Sequence, residues 1–463
     1  MKILVYPHSM EIGGSPLNAI ESAAHVEQAG HEVLVFVPDG PLLSRVRELG
    51  LEYHRAPVTG TSPSLRNMNR LIELVRTRAI DVVHGYERMP VLELAYGPHL
   101  LLGTPMVATT MDMTVKKFLP RHVPLTVGTQ ELVETARARH AEVHLMEPPI
   151  DTDLNAPSSD PRSARQQFGV ADDELLLSIV CRITTHLEKV HGVLEAIAAV
   201  DELAERFPVR LLVVGDGADL PRVRAAAAPV NDRTGRETVI VTGELLDPRP
   251  AYDAADVVLG MGSSALKGLA FAKPLVVQGP SGFWVLLTPE SAPLFLDVGF
   301  VGNRPGGGTP ALVDILRQVL PDASARQELG DYGRRLVVER FSLPPAAALE
   351  QRLYSRALSS RSTVVTRTRH LAGPAAGAAT YKTGKAVLNH VVPEPYRDRL
   401  RTRFAPLWDL PPASDPARPA GSWTTPQATS YAEESTGEPG TVASGPGAER
   451  AGSSDRIGHT IGP

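Results

Sequence analysis

Residues 1–37 read MKILVYPHSMEIGGSPLNAIESAAHVEQAGHEVLVFV, and this opening decides the fold class. The apolar run MKILVY is a short strand. A loop carrying Gly13 and Gly14 follows, then a helix with readable ends. Ser15 is its candidate N-cap, Pro16 suits the first helical position, and Gly30 can terminate it. Leu17, Ile20 and Ala24 share one helical face, and HEVLVFV begins a second strand. Strand, helix and strand in this order predict a parallel sheet covered by helices.

The same alternation extends outward. Strands at IDVVHG, PMVATT, PLTV and EVHLM are separated by helices at SLRNMNRLIELVRTRA and QELVETARAR. A stretch rich in Pro, Ser and Asp (PPIDTDLNAPSSDPRS, 148–163) interrupts the pattern, and the alternation then restarts. ELLLSIV, VRLLVVGDG, TVIVTG, DVVL and PLVV read as strands, with helices between them, and two further helices end near residue 341. The expected architecture is α/β: two doubly wound Rossmann-like domains facing a central cleft. The first covers 1–155 and the second 156–340. Ligands in such folds bind at the carboxyl ends of strands, here in the cleft. From Arg356 to Arg403 there are ten Lys or Arg against Glu394 and Asp398. Residues 359–410 are therefore a basic extension, expected to pack loosely on the second domain or to touch an anionic membrane. Residues 411–463, dominated by Pro, Gly, Ser, Thr and Ala, are expected to be disordered.

Composition sets the outer limits. With 463 residues, 43% apolar and 21% charged, the chain is long enough for two cores and ordinary for a soluble protein. A net charge of −5 argues against a nucleic-acid partner. No run reaches the roughly 20 apolar residues of a membrane span. The single Cys181 sits in LLLSIVC, which excludes an internal disulfide framework, fits a cytoplasmic location and reads as an inert core thiol. No HExxH or Cys/His cluster is present, so no metal site is predicted. Of the histidines, His84 ends a strand and His122 lies in a Pro-flanked loop, and both are possible cleft residues. Phe283 and Trp284 in GFWVLLTPE either line the cleft or pack as a core loop.

Several stretches, in order, resemble the retaining GT-B-fold glycosyltransferases of the family-4 type. IGGSPLNAIESAAHVEQAGHEVLVF is similar to that family's glycine loop, first helix and second strand, and DVVHGYE to its Asp-Val-Val-His strand end. MEPPIDTD resembles the entry to the second domain. LLLSIVCRITTHLEKVHGVLEAI, LLVVGDGADL and VIVTGELLDPRPAYDAADVVL follow in register, and FSLPPAAALEQRLYSRAL looks like the helix that crosses back. The resemblance covers about residues 1–358 and implies a nucleotide-diphosphate-sugar donor, retention of configuration, and no cofactor or metal. The acceptor it implies is a glycan, a lipid-linked molecule or a small molecule.

Breaking a glycosidic bond to a diphosphate builds negative charge on the leaving group, which calls for fixed cations and N–H dipoles. Arg182 and Lys189 match the family's Arg and Lys, and the resemblance gives them the diphosphate clamp. Gly13 and Gly14 before one helix, and Gly260 and Gly262 with Ser263 and Ser264 before another, allow close approach of phosphate to backbone. Three positions depart from the family pattern. TTMDM resembles Thr-x-His-Asp, keeping Asp112 but placing Met111 where histidine stands. In LGMGSSALK, the two family glutamates fall on Leu259 and Lys267. Leucine cannot hydrogen-bond, and an ammonium donates but cannot accept. In an active transferase, Lys267 becomes a third cation for the diphosphate. A non-catalytic nucleotide- or sugar-binding scaffold and, less favoured, a nucleotide-sugar epimerase remain alternatives.

Overall fold

The structure is a computed structural model that describes residues 1–57, 62–302, 304–360, 363–390 and 407–410, with 384–390 as backbone only. The expected tail at 411–463 therefore lies outside the described residues. Seven parallel strands form the first sheet: β1 (Lys2–Tyr6), β2 (Glu32–Val37), β3 (Glu52–Arg55), β4 (Val82–Tyr86), β5 (Met106–Thr110), β6 (Leu125–Val127) and β7 (Val143–Leu145). Their spatial order is β3-β2-β1-β4-β5-β6-β7. The second sheet has β8 (Leu175–Val180), β9 (Val209–Val214), β10 (Val239–Gly243), β11 (Val257–Gly260), β12 (Leu275–Gly279) and β13 (Phe283–Leu286) in the order β10-β9-β8-β11-β12-β13. Only β13 runs antiparallel. Strand order reverses between β1 and β4 and between β8 and β11, and each reversal opens a crevice at the strands' carboxyl ends.

Strand parity builds the cores. In the first lobe Leu4, Tyr6, Leu34 and Phe36 enter one buried cluster with Leu71 and Leu74. Ile3, Val5, Val33 and Val35 enter another with Ala19, Ile20 and Tyr354. Both faces are covered by helices, so the strands read as continuous apolar runs. Two strands escaped the sequence reading. β3 (EYHR) is a polar edge strand with little hydrophobic signal, and β13 holds Phe283 and Trp284, which are buried and pair with β12. The Trp284 indole N–H donates to Glu195 at 2.6 Å, so this pair is core and does not line the cleft.

The link between lobes is stapled by one guanidinium. Arg334 donates to the carbonyls of Thr152, Asn155 and Ala270 at 2.7–2.8 Å. The helix Leu343–Ser359 then packs on the first lobe, against the helix Gly14–Gln28 and strands β4 and β5. Beyond it, the helix Val364–His390 corrects the expectation for the basic extension, because it lies on the first lobe. Leu371 is buried in that lobe's core, and Tyr96 donates to the Leu371 carbonyl at 3.0 Å. Arg88 stacks over Tyr381 at 4.8 Å, and Tyr381 meets Phe118 and Trp408. Residues 407–410 finish the wrap: Lys117 N–H donates to Trp408 O, Leu410 N–H to Val115 O, and Lys116 pairs with Asp409 at 2.5 Å. No helix among the described residues is long and apolar enough to cross a membrane.

Candidate functional site

Arg182 and a helix N-terminus of the second lobe face the glycine loop of the first, and Lys189 lies near Arg182. Arg182, just past β8, donates through Nη2 to the Ile12 carbonyl across the cleft at 2.8 Å. A Cβ on Gly13 would lie 3.5 Å from the same nitrogen, and a Cβ on Gly14 only 2.5 Å from Ser263 Oγ. The loop can approach the second lobe this closely because it has no side chains there. Lys189 opens the helix Lys189–Leu203 and is half-buried, and burial lowers its pKa, with Arg182 adding to the fall. The two residues before it, Leu187 and Glu188, both hold positive φ (54° and 52°). Glu188 is fixed in that conformation by accepting from Ser281 N–H at 2.8 Å. Paired left-handed non-glycine residues are costly and mark a turn that the surroundings enforce.

The second phosphate-type site differs in detail from the sequence reading. β11 runs through Leu259 into Gly260, and the helix Gly262–Ala270 begins with Met261 as N-cap. Leu259 pairs with Ile179 and Val276 and is fully buried, so no carboxylate loop exists at that point. Ser263 faces Gly14, but Ser264 turns inward, donating to Val180 O at 2.6 Å with Tyr252 OH 3.0 Å away. Neither serine is the N-cap. Nor does Ser15 cap the first helix, whose N-cap is Gly13; its hydroxyl goes instead to Glu87. Lys267 is half-buried on the same helix as Ser263. Burial lowers its pKa, Glu21 and Asp247 oppose that fall, and Arg45 and Arg249 reinforce it. Glu21 belongs to the first lobe, where it pairs with Arg45 at 3.3 Å. Lys267 therefore faces an ionic cluster shared by both lobes.

On the first-lobe wall, Asp112 is exposed and accepts from Met113 N–H at 2.8 Å. A residue that the sequence reading missed stands near it. His8, two residues past β1, is exposed at the carboxyl end of the sheet, within electrostatic reach of Asp112 and Arg182. Partial desolvation lowers its pKa, opposed by Asp112 and assisted by Arg182. Its signal was available, since it sits at a strand's carboxyl end five residues before the glycine loop.

The other two histidines are not in the cleft. His84 is fully buried, bonded to Tyr354 OH at 2.8 Å and Thr109 Oγ1 at 2.7 Å. Strand parity puts it on the face covered by the helix Leu343–Ser359, and burial drives its pKa to about 3. His122 lies before β6, at the amino end of the sheet. It sits 2.9 Å from His99 and stacks on His370 of the extension helix, and burial lowers its pKa to about 4. Gly215 and Gly217 serve as turn residues: a Cβ on Gly215 would fall 1.8 Å from Cys181 O. An open depression of about 530 Å³ beside Glu188, lined by His191, Glu195, Arg222 and Ser281, shares none of the cleft residues. Among the described residues no cluster of His, Cys, Asp and Glu is arranged to hold a metal ion.

Two reversing α/β sheets are thus joined by a returning helix, with Arg182 and Ser263 facing a glycine loop. A crystal structure of a glycosyltransferase from Rickettsia africae superposes with a TM-score of 0.61 at 16% identity, covering 77% of this chain and 98% of that one. The chain has the GT-B glycosyltransferase fold. Anabaena Alr3699/HepE in complex with UDP matches this GT-B chain with a TM-score of 0.59 at 18% identity, over 77% of it and all of that chain. In sequence, a GDP-mannose-dependent alpha-mannosyltransferase of Mycobacterium tuberculosis is 26% identical over 367 residues, 69% of this chain and 89% of the relative. No family model matches.

Proposed function

We propose that the chain moves a sugar from a nucleoside-diphosphate sugar to an acceptor hydroxyl in the cleft, with retention of configuration and without a metal or other cofactor. The observation that carries this reading is Arg182 of the second lobe donating to the Ile12 carbonyl beside Gly13–Gly14, with Lys189 at the start of the helix that follows. Two fixed cations and a helix N-terminus oppose the charge that grows on a departing diphosphate, the work a divalent ion would otherwise do. Gly260 ends β11, and Gly262 starts the second helix that points into this space. Asp112 and His8 offer a carboxylate and an imidazole on the acceptor wall. Lys267, already facing Glu21 and Asp247, balances charge between the lobes and assists the diphosphate only secondarily. The donor base is guanine or uracil, as in the GDP-mannose-dependent relative and the UDP-bound neighbour.

The acceptor is a glycan, a lipid-linked molecule or a small molecule, and the setting is cytoplasmic. Contact of the extension with an anionic membrane is tested by co-sedimentation with anionic vesicles, where loss of binding on deleting 359–463 supports it and no change removes it. A non-catalytic scaffold is the second reading, favoured by the absence of a carboxylate at Leu259 and Lys267. Calorimetry with UDP, GDP and ADP decides between them. A single tight nucleotide, weakened about tenfold or more by Arg182→Ala, is expected, consistent with loss of a charge-assisted phosphate contact. Turnover of its sugar conjugate completes the test. Failure of every nucleotide to bind overturns the transferase reading.

A further inference from the structure

Two strand ends and the start of the first helix converge on one carboxylate that the chemistry above leaves unused. Glu87 follows β4, and its backbone sits at φ 68, ψ 171, a region nearly reserved for glycine. Its Oε1 accepts from the Ser15 hydroxyl at 2.7 Å and from Met111 N–H at 2.8 Å, and Oε2 accepts from the Thr110 hydroxyl at 2.9 Å. Its own N–H donates to Thr109 O at 2.8 Å. Burial holds this carboxyl above its usual range, against the pull of the donors.

The bonding pattern has a spatial logic. β4 lies between β1 and β5 in the sheet. Ser15 directly follows Gly13–Gly14, the loop that meets Arg182 and Ser263. Met111 directly precedes Asp112 on the opposite side. A residue at the end of the middle strand can reach both neighbours, and the unusual φ turns its side chain toward them. A glycine would relieve the backbone but hold neither segment.

We propose that Glu87 is a positioning residue that fixes the glycine loop and Asp112 in one register, and so aligns the acceptor with the donor held by Arg182 and Lys189. The proposal rests on the transferase reading for its catalytic consequence, and on geometry alone for its structural one. The expected chemistry of Glu87→Gln is mild, because an amide oxygen still accepts from Ser15 and Met111 while the Thr110 bond can reverse. Glu87→Gly removes all three bonds and the backbone strain together.

The test uses the full chain with Glu87→Gly and Glu87→Gln. Hydrogen exchange is followed over residues 13–17 and 109–113, nucleoside-diphosphate affinity by calorimetry, and turnover with the sugar conjugate of the nucleotide that binds. Glu87→Gly is expected to raise exchange in both segments by about tenfold or more, as local opening becomes easier. It should lower turnover by about 100-fold, the scale of a small misplacement of reacting groups, with diphosphate affinity within about threefold of wild type. Glu87→Gln should restore turnover to within about tenfold of wild type. Native exchange and turnover in Glu87→Gly overturn the proposal. So does a Glu87→Gln variant as inactive as Glu87→Gly with native exchange, which would make the carboxylate a chemical participant. If the wild type binds no nucleotide, the transferase reading fails by itself, and the exchange data alone uphold or overturn the positioning role.

Discussion

Glu350 provides a charge-burial test whose size follows from its surroundings. It lies on the helix Leu343–Ser359, is 1% exposed, and accepts from Tyr86 OH, with Tyr354 also bonded to it. Burial raises its pKa from 4.5 to about 7, and the two hydroxyl bonds only partly offset that rise. A carboxyl whose folded pKa is raised contributes fully below the unfolded value. Its contribution is lost as pH rises from about 4.5 through 7, because the unfolded chain ionises first. At 1.36 kcal/mol per pKa unit the loss by pH 8 is about 3 kcal/mol. Glu350→Gln removes the ionisation and keeps an acceptor for Tyr86, while Tyr354 can turn its hydroxyl proton toward His84 Nδ1, 2.8 Å away. The variant should therefore match wild type near pH 5 and exceed it by about 3 kcal/mol at pH 8, or roughly 5–10 °C in Tm for a lobe of this size. Thermal melts from pH 5 to 8.5 measure the gap. A gap independent of pH would show that Glu350 is not ionising in the folded core, and would refute the reasoning.

Three further outcomes follow from the same structure. The pKa of about 4 for half-buried His122 means that stability is complete above pH 6.5 and falls as pH drops toward 4, since the unfolded chain takes up the proton first. His122→Gln should flatten the stability–pH slope near pH 5 by less than about 1.4 kcal/mol per pH unit, since solvent screens the half-exposed ring, and an unchanged slope would contradict this. Trp408 closes the wrap over residues 115–118 through backbone and ring contacts. Trp408→Ala should raise hydrogen exchange over 113–119 while leaving β8–β12 unchanged, and exchange spread over both lobes would be the contrary result. The Cys181 thiol is pushed by burial to about 11, so it should resist alkylation at pH 8 in the folded protein and react on unfolding.

The alternation of strands and helices and the break between the two lobes were legible because each depends on local patterning, whereas the returning helix was implied by the family resemblance. A buried parallel strand must be apolar on both faces, and a helix must show its stripe, whichever partner it meets. The glycine loop and the Arg182–Lys189 segment were legible for a related reason: a strand's carboxyl end in a doubly wound sheet has few places to point. Glu87, at the end of DVVHGYE, carried no local signal of its role, because its three donors come from the end of β5 and the start of the first helix. His8 carried a positional signal that went unused.

What the sequence alone determined, then, is the order and type of the elements and which ends of them face the cleft. Only the tertiary structure decided which polar side chains serve that cleft. His84 ended a strand like a site residue, yet its face was claimed by Tyr354, which is 270 positions away in the chain. His122 and the basic extension found each other at the far end of the first sheet. Lys267 came within electrostatic reach of Glu21 from the other lobe. Local sequence fixes backbone geometry through short-range sterics and burial, whereas the partner of a polar group is set by chain segments whose approach no local pattern encodes.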